Sequence, residues 1–173
     1  MKKETSCIIS KAVLGYVKMH NNGSIEPLLD NLDSEINLMV NPETYLSDQN
    51  NWISCRILAE LFKRSRELFC DPFIAFKIGK YAVQKSSLGL SQQILLKTSL
   101  STREALIAFD GVNEQCSRNK KLEIIALKHN EASIRLHWNS SMSVTRDNCI
   151  YNQGVFTFMP QIWKGSRIRL RAV

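Results

Sequence analysis

The run KLEIIALKHNEASIRLHW, residues 121–138, decides the fold class. Leu122, Ile124 and Ala126 oppose Ile125 and Leu127, and after His129, Asn130 and Glu131 the residues Ala132, Ile134, Leu136 and Trp138 alternate with Ser133, Arg135, His137 and Asn139. Successive side chains of a strand point to opposite faces, so this two-residue period predicts a hairpin with one buried face. Upstream of it the period is helical. Ile9, Val13, Tyr16 and Val17 mark a first helix from Ser6 to about His20, closed by Asn21, Asn22 and Gly23. Ser24 can cap a second, short helix that carries Pro27 in its first turn. Residues 33–51 read as a polar connector that Leu38, Met39, Val40, Tyr45 and Leu46 pin to the core.

The strongest helical stripe follows Asn50 and Asn51, with Ile57, Leu58, Leu61, Phe62, Leu68 and Phe69 on one side and Arg56, Glu60, Lys63 and Glu67 on the other. Asp71 and Pro72 then start a helix through Phe73, Ile74, Ile78, Tyr81 and Ala82. Gly79 inside it costs up to about 1 kcal/mol relative to alanine, which points to a close helix contact there. Ser86 to Gly89 break the chain before a short helical stretch at 92–97, and Ser101 with Glu104 forms a capping box for a helix burying Leu106, Phe109, Val112 and Cys116. After the hairpin, Thr145 or Asp147 can cap a further helix through Cys149, Ile150 and Phe156, weakened by Gly154 and Pro160. Ile168, Leu170 and Ala172 alternate again. The expectation is an α+β fold in one domain over residues 1–173: a mainly helical N-terminal two-thirds packed with a small antiparallel β-sheet in the C-terminal third.

The 173 residues are 44% hydrophobic and 23% charged, a composition that supports a core and excludes a disordered chain. No apolar run approaches the roughly 20 residues needed to cross a bilayer, and Glu4, Lys11 and Lys18 break up any leader-like stretch, so a cytoplasmic location is expected. Cys7, Cys55, Cys70, Cys116 and Cys149 are odd in number and widely spaced, which reads as reduced, mostly buried thiols. Lys and Arg total 23 against 16 Asp and Glu. Among the clusters that carry this excess, Arg118, Lys120 and Lys121 precede the first strand, and such runs read first as solvated faces.

The phosphate-cradling G-x-x-x-x-G-K-[ST] and G-x-G-x-x-G patterns and the nucleophile elbow G-x-S-x-G are all missing, which lowers the case for an enzyme. His137, on the polar face of its strand, reads as a surface or hydrogen-bonded residue before a haem or metal ligand. Cys149, with Arg146 nearby, reads as a plain buried thiol before a nucleophile. Trp52, Trp138 and Trp163 read as core before ligand walls.

Several stretches carry a resemblance: Leu46 to Trp52, the Asp71–Pro72 pair, Arg118 to Lys121, Leu136-His137-Trp138, and Arg146 to Cys149 with Tyr151, Asn152, Gly154, Pro160 and Trp163. Together they resemble the amino-terminal sensory region of bacterial histidine kinases and diguanylate cyclases, similar in layout to the 4-vinyl reductase domain, a small-molecule-binding α+β module. The resemblance implies a non-enzymatic sensor with no catalytic residues, a small-molecule ligand and a signalling output protein or domain as partner. It names no cofactor and leaves a homodimer open. Trp138, Cys149, Tyr151, Phe156 and Trp163 are the candidate ligand-binding residues. Relatives continue past the Pro160–Trp163 element into another hairpin, so the chain reads as an excised domain, a product truncated at its C-terminus or a stand-alone relative. The stretch from Trp52 to Ser101 is also similar to the effector-binding region of AraC-type transcription regulators. Their helix-turn-helix segment has no counterpart here, and DNA binding by this chain alone is not expected.

Overall fold

A computed structural model of the chain describes residues 3–85, 98, 104, 106–108, 110–111, 117–127, 131–139, 144–159 and 169–172. The stretch 86–97, Ser101, Phe109, Val112, Cys116, Pro160 and Trp163 lie outside the described residues, and so do the expectations placed on them. The architecture is α+β, with helices filling the N-terminal part and a small sheet in the C-terminal part. Among the described residues no helix is long and apolar enough to cross a membrane.

The first helix, α1 (Ile8–His20), buries Ile9, Val13 and Val17 along the expected stripe and ends where Asn22 and Gly23 take positive φ. Two short helices, α2 (Glu26–Leu29) and α3 (Ser34–Asn37), follow. Ser24 Oγ accepts from Glu26 N at 3.4 Å, and Asp33 caps α3 by accepting from Glu35 N. The expected connector is thus partly helical, because Asn41 also caps α4 (Pro42–Ser47) through Thr44 N. Of its five apolar residues Leu46 is fully buried, whereas Leu38 and Val40 are exposed.

A strand pair absent from the sequence reading comes next. Thr5–Ser6 (β1) and Trp52–Ile53 (β2) pair antiparallel, Thr5 opposite Ile53. The long helix α5 (Cys55–Phe69) therefore starts later than Asn50 and Asn51 suggested, capped by Ser54. It buries Ile57, Leu58, Leu61 and Phe62 as its stripe requires. Asp71 Oδ1 accepts from Phe73 N at 2.9 Å, but α6 (Ile74–Gln84) begins after Pro72 and Phe73, which form a turn.

Strands β3 (Lys120–Leu127) and β4 (Glu131–Trp138) form the expected hairpin, with a bulge between Ile124 and Ala126. Leu122, Ala132 and Ile134 are buried on one face, while Glu123, Arg135 and His137 stand exposed on the other. The sheet is not purely antiparallel. After α7 (Arg146–Phe158), β5 (Arg169–Ala172) pairs parallel to β4, Ala132 opposite Leu170, in the order β3-β4-β5. A parallel neighbour needs a long crossover, and α7 supplies it.

The α6–α7 contact explains both of its glycines. A β-carbon on Gly79 would collide with the carbonyl oxygen of Tyr151 and lie 2.9 Å from Val155 N. A β-carbon on Gly154 would collide in turn with the carbonyl oxygen of Phe76. Gly79 thus marks the close contact the sequence implied, and Gly154 belongs to the same crossing instead of weakening its helix.

Asp71 also forms a 2.7 Å ion pair with Lys77. Its hydrogen bond from Lys77, joined by that from Phe73 N, lowers its pKa below the ordinary 3.8. A depressed carboxylate stabilises the fold above its unfolded pKa, and that stability is lost as pH falls through the folded value. Asp71→Asn should therefore be less stable than the parent at neutral pH, and the difference should close as urea melts are moved down through the carboxylate range. A difference that persists unchanged in acid would refute this origin.

Candidate functional site

The register of the hairpin places Lys120 opposite Trp138 and Lys121 opposite His137. Together with the residues just outside the strands, these positions line a cleft of about 420 Å³ bounded by Ser117, Arg118, Asn119, Lys120, Lys121, His137, Trp138 and Asn139. Its rim is tied across by Asn139 N donating to Asn119 O at 2.8 Å.

The floor is held by the N-terminal strand. Thr5 bridges to Ser117, Arg118 N donates to Glu4 O at 2.9 Å, and Glu4 N donates to Ile53 O. Beneath these backbone bonds lies a buried polar cluster. Ser117 Oγ donates to Asn119 Oδ1, Asn119 Nδ2 donates to Cys55 Sγ at 2.7 Å, and Thr5 Oγ1 lies 3.3 Å from the same sulfur. Burying such groups costs little only when each has a partner, and here each has one. Cys55 opens α5, a place that favours a thiolate, yet burial wins and pushes its pKa up. The cluster is a positioning device for Asn119 and its neighbours.

Charge dominates the cleft wall. The Arg118 guanidinium lies 4.2 Å from the centroid of the Trp52 ring, and Lys120 Nζ lies 5.7 Å from that of Trp138. Lys120 also donates to Asn152 Oδ1 at 2.6 Å, and Asn152 Nδ2 donates to Asn148 O at 2.6 Å, so the cleft is joined directly to α7. On the outer face of the sheet Glu123 accepts from His137 Nε2 at 2.7 Å and pairs with Arg135 at 3.5 Å. The His137 hydrogen bond holds the Glu123 carboxyl below its ordinary pKa.

The four described sequence candidates do not gather at one site. Trp138 is half-buried and lines the cleft. Tyr151 and Phe156 are buried in the core, the Tyr151 ring 5.5 Å from that of Phe62. Cys149 is exposed, a correction to the buried thiol expected of it. It shares a solvent stripe with Arg146, Gln153 and Thr157, at the three- and four-residue spacing that puts side chains on one helix face, away from Tyr151 and Phe156. Trp163 lies outside the described residues. Cys7 and Cys55 are buried, but Cys70 is exposed like Cys149, so the thiols are not mostly buried among the described residues.

The cations missed as site residues were visible as the cluster before β3; what was missing was the partner across the hairpin. Among the described residues no group of His, Cys, Asp and Glu is placed to hold a metal. Compared with protein-family models, curated proteins and solved structures, the chain matches none, and its functional reading rests on the geometry of this cleft.

Proposed function

We propose that the chain is a non-enzymatic, small-molecule-sensing regulatory domain of bacterial signal transduction. It acts in the cytoplasm, takes its ligand in the cleft between residues 117–121 and 137–139, and passes occupancy to an output protein or domain. The observation that carries this reading is a concave site of about 420 Å³ that combines an aromatic wall, Trp138, with a hydrogen-bonded link to a helix through Lys120 and Asn152. Ligand sites commonly fall in this size range, roughly 300–1,000 Å³, with a few placed polar groups. A ligand biases an output only by binding one arrangement better than another. Contact with Lys120 would make the seating of α7 depend on the cleft. The resemblance to sensory regions of histidine kinases and diguanylate cyclases supports the same class.

Native mass spectrometry of the protein purified from its own host should show a retained small molecule, and Trp138→Ala should lose it while keeping the parent melting temperature. Retention unchanged in Trp138→Ala would move the site elsewhere, and the absence of any bound species from both proteins would count against sensing.

A further inference from the structure

The cleft has a charge character that narrows its ligand. Arg118, Lys120 and Lys121 fall within one short segment of its wall, and no Asp or Glu is among the lining residues. Several cations elsewhere on the surface are matched: Lys18 pairs with Glu43, Lys77 with Asp71 and Arg56 with Asp33. Among the described residues Arg118 and Lys121 enter no such pair. The acid nearest in register, Glu123, is engaged on the outer face by His137 and Arg135. Like charges gathered in a concavity with low-dielectric walls focus a positive potential into it.

The positions of these cations are also constrained. Arg118 is stacked on Trp52, and Lys120 is held by Asn152, so neither needs much ordering when a ligand arrives. Lys120 also lines the cleft, so its charge acts on an anion there whichever groups its protons meet. Trp138 offers an aromatic ring beside these charges.

We propose that the cleft binds a small organic anion, a carboxylate or phosphate carried on a flat ring, with Trp138 against the ring and Lys120 and Arg118 on the charged group. This rests on the reading of the cleft as the sensory site and adds the class of its ligand. A nucleic-acid strand is disfavoured because it needs cations spread along a groove, whereas these three sit within residues 118–121.

Calorimetric titration of the full chain with benzoate, phenyl phosphate, neutral benzamide and a single-stranded oligonucleotide tests the proposal. At least one of the two anions should bind saturably and about tenfold or more tighter than benzamide, since charge-assisted hydrogen bonds are roughly twice as strong as neutral ones. Arg118→Ala should weaken that anion about tenfold, the loss expected for one such bond, while Arg118→Lys should retain most of it. Arg118 is exposed, and an unchanged melting temperature will show that the fold is intact. If benzamide binds as well as the anions and Trp138→Ala abolishes it, the sensory cleft stands and the anionic ligand class falls. If no small probe binds at millimolar concentration, or if binding survives Trp138→Ala, both readings fall. Binding confined to the oligonucleotide, and weakening steeply with salt, overturns the proposal in favour of a nucleic-acid surface.

Discussion

Gly79→Ala should destabilise the protein by about 3 kcal/mol, a large share of the 5–15 kcal/mol typical of a folded domain. Alanine is the better helix former by about 1 kcal/mol, so propensity alone predicts the opposite sign. Space decides the matter. The new methyl would meet the Tyr151 carbonyl oxygen, Val155 N at 2.9 Å and Gly154 Cα at 3.1 Å, all of them backbone atoms. Backbone cannot rotate away as a side chain can, so the two helices must separate and lose packing along their length. Gly154→Ala attacks the same crossing from the other side, through the Phe76 carbonyl. The two changes should be less than additive, because helices already parted by one methyl accommodate the second more cheaply. Urea denaturation of both single variants and the double variant measures this. A loss below about 1 kcal/mol for Gly79→Ala would show the crossing to be loose.

Arg66→Ala should cost about 2–3 kcal/mol, and Asp147→Asn clearly less. Arg66 Nη1 lies 2.5 Å from Asp147 Oδ2, joining the end of α5 to the start of α7. The partners are unequally buried: the side chain of Arg66 is 39% exposed and that of Asp147 only 7%. Removing the arginine strands a buried carboxylate, whereas removing the carboxylate leaves an arginine that can turn to water. The exposure of Arg66 keeps the expected loss below the roughly 3–5 kcal/mol of a fully buried pair. Asp147 also sits in the first turn of α7, where a negative charge is favoured. The double variant Arg66→Ala/Asp147→Ala should be no less stable than Arg66→Ala alone. Equal losses for the two single changes would refute the asymmetry.

Local chemistry made the helices legible. The stripe of α5, the stop after α1 and the glycine in α6 are all set by neighbours in sequence, and each reads correctly from spacing and residue type. What escaped was long-range. Thr5–Ser6 pairs with Trp52–Ile53, two segments too short to carry a period of their own. The parallel placement of β5 depends on the crossover through α7, which alternation alone does not reveal.

The site was misread for the same reason. Counting back from the hairpin turn without a bulge sets Lys121 against Trp138, and the bulge at Ile125 moves that position to Lys120. A one-residue slip in a hairpin changes which face each side chain takes, so the basic cluster and the tryptophan could not be joined from spacing alone. Aromatic content drew the eye to Tyr151 and Phe156, which the core takes for itself.

The uneven treatment of the thiols has a practical consequence. Cys7 is buried, with its pKa pushed up to about 11, and Cys55 is buried and likewise raised, so neither offers much thiolate to an alkylating dye. Cys70 and Cys149 are open to solvent, one just beyond the last turn of α5 and the other in the first turns of α7. Among the described residues, native chemistry thus provides two attachment points astride the Arg66–Asp147 tie. Spectroscopic labels there would follow the separation of these helices in real time as a compound is added.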